Sequence, residues 1–403
     1  MKKSSRRRFL ASSAGLLGAG LAGLPVLAET NRNHSSERNA SGMIYRTLGR
    51  TGIRVPVVSM GVMNASNPNL VKEAWKSGIR HFDTAWIYQN GNNELMVGRV
   101  LKELQVRRED VILASKVFLH DKSGVQKEKD LKDIFLQRFH QSLERLQTDY
   151  IDILYLHDVS DPSQVNAPWL IDTFSELKKS KKIRWAGFST HAYWPELVKD
   201  AADKGFYDVI LLSINYSMSH DTASLEAMNY AAAKGVGLIA MKTQCQQAWY
   251  KENLPAEMQK FYEGKIMHSA LLKWVLRHES IATAVPGFTT FQQLEEDMAV
   301  ATSLEYTSDE LKFLTDHNVQ LALNANCRFC GKCLPGCPHN VHIPTLMRAH
   351  MYAYAYGNVH MTRQTLSGQN GLEACAKCDV CTAQCVNDVP IARRIGEIIP
   401  LLG

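Results

Sequence analysis

From Met43 onward, short apolar runs alternate with longer stretches in which apolar residues recur every three or four positions. The short runs read as buried strands and the longer ones as amphipathic helices. The strands predicted in this way are Val57–Met60, Arg80–Asp83, Val111–Lys116, Ile151–His157, Ile183–Ser189, Val209–Asn215, Gly237–Met241 and Ala282–Val285. Between them lie predicted helices such as Leu131–Leu146, whose apolar face is Leu131, Ile134, Phe135, Phe139 and Leu143. Leu225–Lys234 and Ile266–His278 are two more. Eight β–α units in about 260 residues suit a (β/α)8 TIM barrel. An open doubly wound sheet is the alternative, but no Gly-x-Gly-x-x-Gly follows the first strand.

A barrel of this kind places its chemistry at the C-terminal ends of its strands. Asp83, Lys116 and His157 each close a predicted strand, and Tyr88 follows Asp83 in the next loop. Together they form a proton-transfer set. A tyrosine can give its proton to a carbonyl oxygen that is gaining charge, although a phenol near pKa 10 is a poor acid at neutral pH. The Lys116 ammonium is expected to lower that pKa, Asp83 to keep the lysine charged and aimed, and His157 to orient the carbonyl.

These residues stand in a recognisable setting. Phe82-Asp83-Thr84-Ala85-Trp86-Ile87-Tyr88 with Glu94, then Ala114-Ser115-Lys116 and Leu154-Tyr155-Leu156-His157, resemble the aldo/keto reductase signatures. Residues 47–61, TLGRTGIRVPVVSMG, resemble the family's opening hairpin and first barrel strand. The resemblance spans about residues 43–320. It implies an Asp-Tyr-Lys-His tetrad, a small carbonyl or alcohol substrate, and a nicotinamide cofactor. It further implies that Ser189 and Thr190 hold the carboxamide, that Tyr216 stacks on the nicotinamide ring near Ser213, and that Pro286, Gly287 and Glu296 form the adenosine side. Residues 287–296 contain no Lys or Arg to clamp a 2′-phosphate. NADP and NAD therefore both stay open as the cofactor.

Eight of the nine cysteines lie in residues 327–385. Cys327-x2-Cys330-x2-Cys333-x3-Cys337-Pro338 is followed by Cys375-x2-Cys378-x2-Cys381-x3-Cys385. This is the ferredoxin-type run, twice, and points to two [4Fe-4S] clusters. The expected ligation is crossed: Cys327, Cys330, Cys333 and Cys385 on one cluster, Cys375, Cys378, Cys381 and Cys337 on the other. Zinc knuckles and disulfides are the competing readings of these cysteines. Between the runs, Pro344–Tyr352 reads as a helix begun by proline, which favours a small, mostly α-helical ferredoxin-like domain. The combination resembles a bacterial iron–sulfur branch of the aldo/keto reductases.

Composition is that of a globular protein, with 45% hydrophobic and 21% charged residues. The formal charge of +6 comes mostly from Lys2, Lys3, Arg6, Arg7 and Arg8. With no basic stripe beyond them, nucleic acid is not an expected partner. Those cations precede an apolar run ending at Val26-Leu27-Ala28, the layout of an export signal. Ser5-Arg6-Arg7-Arg8-Phe9-Leu10 resembles the twin-arginine pattern, whose translocation machinery is then a partner and the periplasm the destination. The domains expected are a signal peptide at 1–28, a polar linker at 29–42, the barrel at 43–322 and the two-cluster domain at 323–403.

Two functions fit. One is a carbonyl–alcohol oxidoreductase using a nicotinamide. The other is a periplasmic electron-transfer protein whose barrel is a scaffold for a redox partner. Cys245, Trp249 and Tyr250 are further candidates for the substrate mouth, with ordinary loop packing as the alternative, and His191 is a candidate to face the substrate, with a helix-start residue as the alternative. No flavin motif is present to link hydride and single-electron chemistry.

Overall fold

A computed structural model describes residues 36–119, 128–192, 194–249, 266–367, 371–378 and 380–402. The expected signal peptide and most of the expected linker lie outside these residues, as does Tyr250. Among the described residues no helix is long and apolar enough to cross a membrane.

The first described elements are β1 (Glu37–Arg38), β2 (Ile44–Thr47) and β3 (Arg54–Pro56), an antiparallel sheet in that order. The end of the polar linker is thus not a free tether. Asn39 turns the chain by accepting hydrogen bonds through its side-chain oxygen from the backbone N–H of Ser41 (3.0 Å) and Met43 (2.9 Å), which pairs β1 with β2.

Eight parallel strands follow: β4 (Met60–Gly61), β5 (His81–Asp83), β6 (Ile112–Val117), β7 (Ile151–Val159), β8 (Ile183–Thr190), β9 (Val209–Ser213), β10 (Gly237–Met241) and β11 (Ile281–Ala284). They are hydrogen-bonded in sequence order. The ring closes where Val58 bridges Ala284, with the Ser59 N–H donating to the Ala284 carbonyl at 2.8 Å and the Ala284 N–H to Val57 at 2.9 Å. Closure decides for the (β/α)8 barrel over the open sheet. Helices alternate with the strands around the outside. The predicted helix at 131–146 runs from Glu128 to Leu146, and buries Phe135 and Phe139.

Strand alternation sorts the side chains. Ile112, Ala114, Ile153, Tyr155, Val209, Leu211 and Ile239 fill the lumen. Leu48, Ile53 and Val55 of the opening hairpin join them and plug the N-terminal end. Gly187 makes room for the lumenal Tyr155, since a Cβ there would lie 2.7 Å from the Tyr155 ring and 2.4 Å from the Val209 carbonyl. The same parity carries upward to Asp83, Lys116, His157, Ser189, Ser213 and Met241, which form the lumen's top layer.

Beyond the barrel, helices Ile343–His350, Val359–Ser367, Leu372–Lys377 and Ile391–Ile398 enclose a second apolar core of Val341, Leu346, Met347, Val389, Ile391 and Ile395. The predicted helix from Pro344 ends at His350 and continues as a π-helical turn, Met351–Ala355. This small helical domain sits on the C-terminal mouth of the barrel. Met351, Tyr352 and Met361 pack there with Ala85, Ile87 and Tyr88.

Candidate active site and cluster domain

Asp83 and Lys116 meet at the top of the lumen, 4% and 1% exposed. The Lys116 ammonium donates to Asp83 Oδ1 and, at 2.7 Å, to the Thr84 carbonyl. Burial pushes the carboxyl up and the ammonium down, while each partner's charge opposes the other's shift. The Tyr88 ring centre lies 5.0 Å from Lys116 Nζ and 5.8 Å from the His157 ring, edge to face.

One expectation is corrected here. Lys116 was to lower the Tyr88 phenol, but burial, with Asp83 and Asp158 adding, pushes it well above its ordinary value, and only Arg348 works against the rise. The lysine charge is directed to Asp83 and Thr84 instead. Tyr88 therefore stays a protonated donor. Burial, reinforced by Lys116, holds His157 well below the usual imidazole range, so it is neutral and can donate or accept a hydrogen bond.

Two cavities flank this set. A groove of about 170 Å3 is lined by Asp83, Tyr88, Lys242, Gln244, Pro286, Gly287, Thr289 and Gln293 among others. A second, of about 120 Å3, is lined by His157, Asp158, His191, Phe329, Arg348 and Tyr352 among others. Its walls come from both the barrel and the helical domain.

The residues expected to hold a nicotinamide distribute unevenly. Pro286 and Gly287 line the groove. Ser213 is buried in the top layer, its hydroxyl without a hydrogen-bond partner. The Ser189 hydroxyl accepts from the Asp158 N–H at 3.0 Å, and Thr190 donates to the Ala192 carbonyl at 3.2 Å. Tyr216 lies away from the groove: past β9 the chain enters a 3-10 turn, so its ring packs edge-on to Trp274 at 5.5 Å and its hydroxyl donates to the Leu314 carbonyl. Glu296 faces solvent, held by Gln292 at 2.9 Å, and Gln293 takes the groove position. Cys245 is buried, with its thiol donating to Asn215 Oδ1 at 3.2 Å and its pKa pushed by burial up to about 12. Trp249 donates to the Gln244 carbonyl and packs on Phe313, so both are packing residues. His191 does face the second cavity.

Sequence reading missed Lys242, Gln244, Asp158, Arg348 and Tyr352. Lys242 follows β10 directly, so the strand-end rule could have named it. Arg348 and Tyr352 carry no such signal. Arg348 reaches from the helical domain to clamp Asp158 with both terminal nitrogens, the outer pair at 2.6 Å. Asp158 sits in a bulge of β7 with φ 64°, which turns it out beside His157.

In the helical domain the cysteines of the two runs lie near one another. Cys385 adds to the rise of the Cys327 and Cys333 thiols, and Cys337 to that of Cys333 and Cys375, though burial is the larger cause in each. N–H groups of Phe329 and Asn387 donate to Cys327 Sγ and Cys385 Sγ, both at 3.4 Å. Arg394, fully buried beside Cys327 and Cys385, has Nε and Nη1 without protein partners. An anionic thiolate-bound cluster suits those donors. Among the described residues no three ligating groups converge as a single-ion site needs.

The comparisons with known proteins bear on both domains. Residues 60–319 match the aldo/keto reductase family profile and residues 326–390 a 4Fe-4S dicluster domain. L-galactose dehydrogenase of Arabidopsis thaliana is 30% identical over 64% of this chain and 88% of its own. The oxidoreductase YrpG of Bacillus subtilis is 27% identical over 68% and 95%. Among solved structures, the holo form of an aldo-keto reductase from Bacillus halodurans matches with a TM-score of 0.54 and 24% identity, covering 70% of this chain and 96% of that one. An aldo-keto reductase from Klebsiella pneumoniae in complex with NADPH matches at 0.50 and 20% identity, covering 66% and 92%. The chain belongs to the aldo/keto reductase family of oxidoreductases and carries a 4Fe-4S dicluster domain on the mouth of its barrel.

Proposed function

We propose that this is an exported iron–sulfur oxidoreductase that interconverts a small carbonyl and its alcohol with a nicotinamide cofactor, Tyr88 serving as the proton donor. The observation that carries the reading is the convergence of Asp83, Lys116, Tyr88 and His157 beside a groove that also contains Pro286 and Gly287. Nicotinamide, when bound, supplies or takes the hydride. The chain's own part is to hold the carbonyl and manage its proton. His157, kept neutral, orients the carbonyl oxygen; Tyr88, kept protonated, donates only as that oxygen becomes basic. Met351, Tyr352 and Met361 pack over Ala85, Ile87 and Tyr88 and give the carbonyl an apolar wall on that side.

Lys242 is the only cation among the groove's described lining residues, and it stands with Asp83 and Tyr88. Among the described lining residues, Thr289 and Gln293 included, none offers a clamp for a 2′-phosphate, and NAD is accepted about as well as NADP. Cys327, Cys330, Cys333 and Cys385 hold one [4Fe-4S] cluster, and Cys375, Cys378, Cys381 and Cys337 the other. Such clusters exchange single electrons. The twin-arginine pattern at Ser5–Leu10 suits a protein that receives its clusters in the cytoplasm and is exported folded.

The electron-transfer reading draws support from the exposed edge of the cluster loops. Cys330 and Cys378 are exposed, and Val380 and Val386 are 76% and 62% exposed beside them. A redox partner would meet the clusters there. Tyr88→Phe tests the leading reading. Turnover of nicotinamide with a carbonyl substrate should drop at least ~100-fold while cluster absorption is unchanged. A folded variant as fast as wild type would remove Tyr88 from the chemistry.

A further inference from the structure

Lys242 and Tyr352 meet at the joint between the two domains. Lys242 leaves β10 with φ 58°, a left-handed conformation that costs a non-glycine residue energy. Tyr352 lies in the π-helical turn Met351–Ala355, a backbone irregularity of the kind that accompanies functional sites. The two distortions bring Lys242 Nζ to 3.3 Å from the Tyr352 hydroxyl and 4.7 Å from its ring centre. Tyr356 stands behind, its ring centre 5.7 Å from the same nitrogen.

The pair spans both cavities. Tyr352 lines the smaller one with His157 and Arg348, and Lys242 lines the groove with Asp83 and Tyr88. An ammonium has donors only, so the Tyr352 oxygen accepts from it and its own hydrogen is left to point elsewhere. Tyr88 has no equivalent support, because Lys116 gives its bonds to Asp83 and Thr84.

We propose that Tyr352 is a second proton donor to the substrate's carbonyl oxygen and that Lys242 replaces the proton it gives. This rests on the carbonyl-reductase reading above. In the reducing direction the carbonyl carbon accepts a hydride from reduced nicotinamide, forming the C–H bond, and the C=O π pair moves to oxygen. That oxygen, hydrogen-bonded by both the Tyr88 and Tyr352 hydroxyls, takes one proton per turnover, here from Tyr352 in place of Tyr88. The phenolate recovers a proton from the Lys242 ammonium, and the amine recovers one from water in the groove. Tyr352 is then a catalytic residue and Lys242 acts through it.

Lys242 is suited to this cycling. Burial and then Arg348 lower its pKa to about 7, with Lys116 adding and Asp158 opposing. Tyr352, Tyr356, Tyr88, Asp83, His157 and His191 are further titratable groups around it. Below pH ~7 the amine is charged and the relay loaded; above it the relay empties, so reduction slows as pH rises.

The test uses full-length, cluster-loaded protein with reduced nicotinamide and a short-chain aldehyde. Tyr352→Phe should lower kcat by ~30-fold or more with KM changed little, while fluorescence-detected nicotinamide binding and cluster absorption stay as in wild type. Lys242→Met, close in length and volume, should abolish the alkaline fall in kcat near pH 7. An NMR titration of 13C-methylated lysines should show one wild-type signal with a midpoint near 7 that is missing from Lys242→Met. If Tyr352→Phe loses its clusters, the Lys242→Met pH profile and titration decide alone. Wild-type turnover in Tyr352→Phe, or an unchanged alkaline limb in Lys242→Met, overturns the relay and leaves the reductase reading standing. A wild-type protein inert with every carbonyl and both nicotinamides overturns both.

Discussion

Asp297 shows what a single buried group contributes to this site. Its carboxyl is 3% exposed and accepts a hydrogen bond from Gln244 Nε2 at 2.8 Å. Burial, with nearby Glu296 adding, raises its pKa from 3.8 to about 8, and the Gln244 hydrogen bond only partly opposes the rise. In the unfolded chain the group ionises near pH 4, whereas in the folded protein it keeps its proton until about pH 8. The folded state thus binds the extra proton, and stability falls as pH climbs from about 4 to about 8. Asp297→Asn keeps the acceptor for Gln244 and removes the charge. Thermal unfolding should find the variant equal to wild type at pH 4 and at least ~2 °C more stable at pH 8. Equal melting at pH 8 would show that Asp297 is solvated. The same physics explains what was misread at Tyr88. A nearby lysine in the sequence suggested an acidified phenol, but burial and two carboxylates outweigh an ammonium already bound to Asp83.

Among the elements, those legible in the sequence were the ones set by local periodicity. Gly237–Met241 has the predicted bounds, and the other seven strands shift by one to three residues at their ends, because apolar alternation fixes which residues face the lumen. The same alternation raised Asp83, Lys116 and His157 to one layer. Tyr216 was misplaced because its neighbours leave the strand for a 3-10 turn that alternation does not foretell. Asp158 was missed because it acts through left-handed backbone in a strand bulge, whereas Lys242, directly after β10, was within reach of the strand-end rule. The cysteine runs, in contrast, are legible from spacing alone, since short loops fix which thiolates can share a cubane. In the proposed crossed ligation Cys337 is a ligand of the cluster built mainly by the second run. Cys337→Ser should therefore reduce iron and sulfide content and alter the electron paramagnetic resonance signal of that cluster. Loss confined to the cluster held by Cys327, Cys330 and Cys333 would contradict the crossing.

For the whole molecule, the joint between barrel and dicluster domain was the least legible feature. Arg348 and Asp158 are 190 positions apart and Lys242 and Tyr352 are 110 apart, so only tertiary packing brings each pair together. That joint makes the cluster domain a wall of the active site, so the clusters can matter to turnover by holding Arg348 and Tyr352 in place, whatever electrons they carry. Under the proposed export, a domain built around clusters must be loaded before it leaves the cytoplasm, so assembly precedes export. Changing Arg6 and Arg7 together to Lys should leave a cluster-loaded protein in the cytoplasmic fraction; export with intact clusters would refute the twin-arginine reading. The central claim is hydride chemistry at a carbonyl beneath the cluster domain. Its most direct measurement is a single turnover of cluster-loaded protein with nicotinamide deuterated at the transferring carbon. The account predicts that the deuterium appears on the alcohol carbon, that the deuterated cofactor reacts more slowly than the unlabelled one, and that cluster absorption is unchanged. Bleaching of the clusters with no deuterium in the product would contradict it.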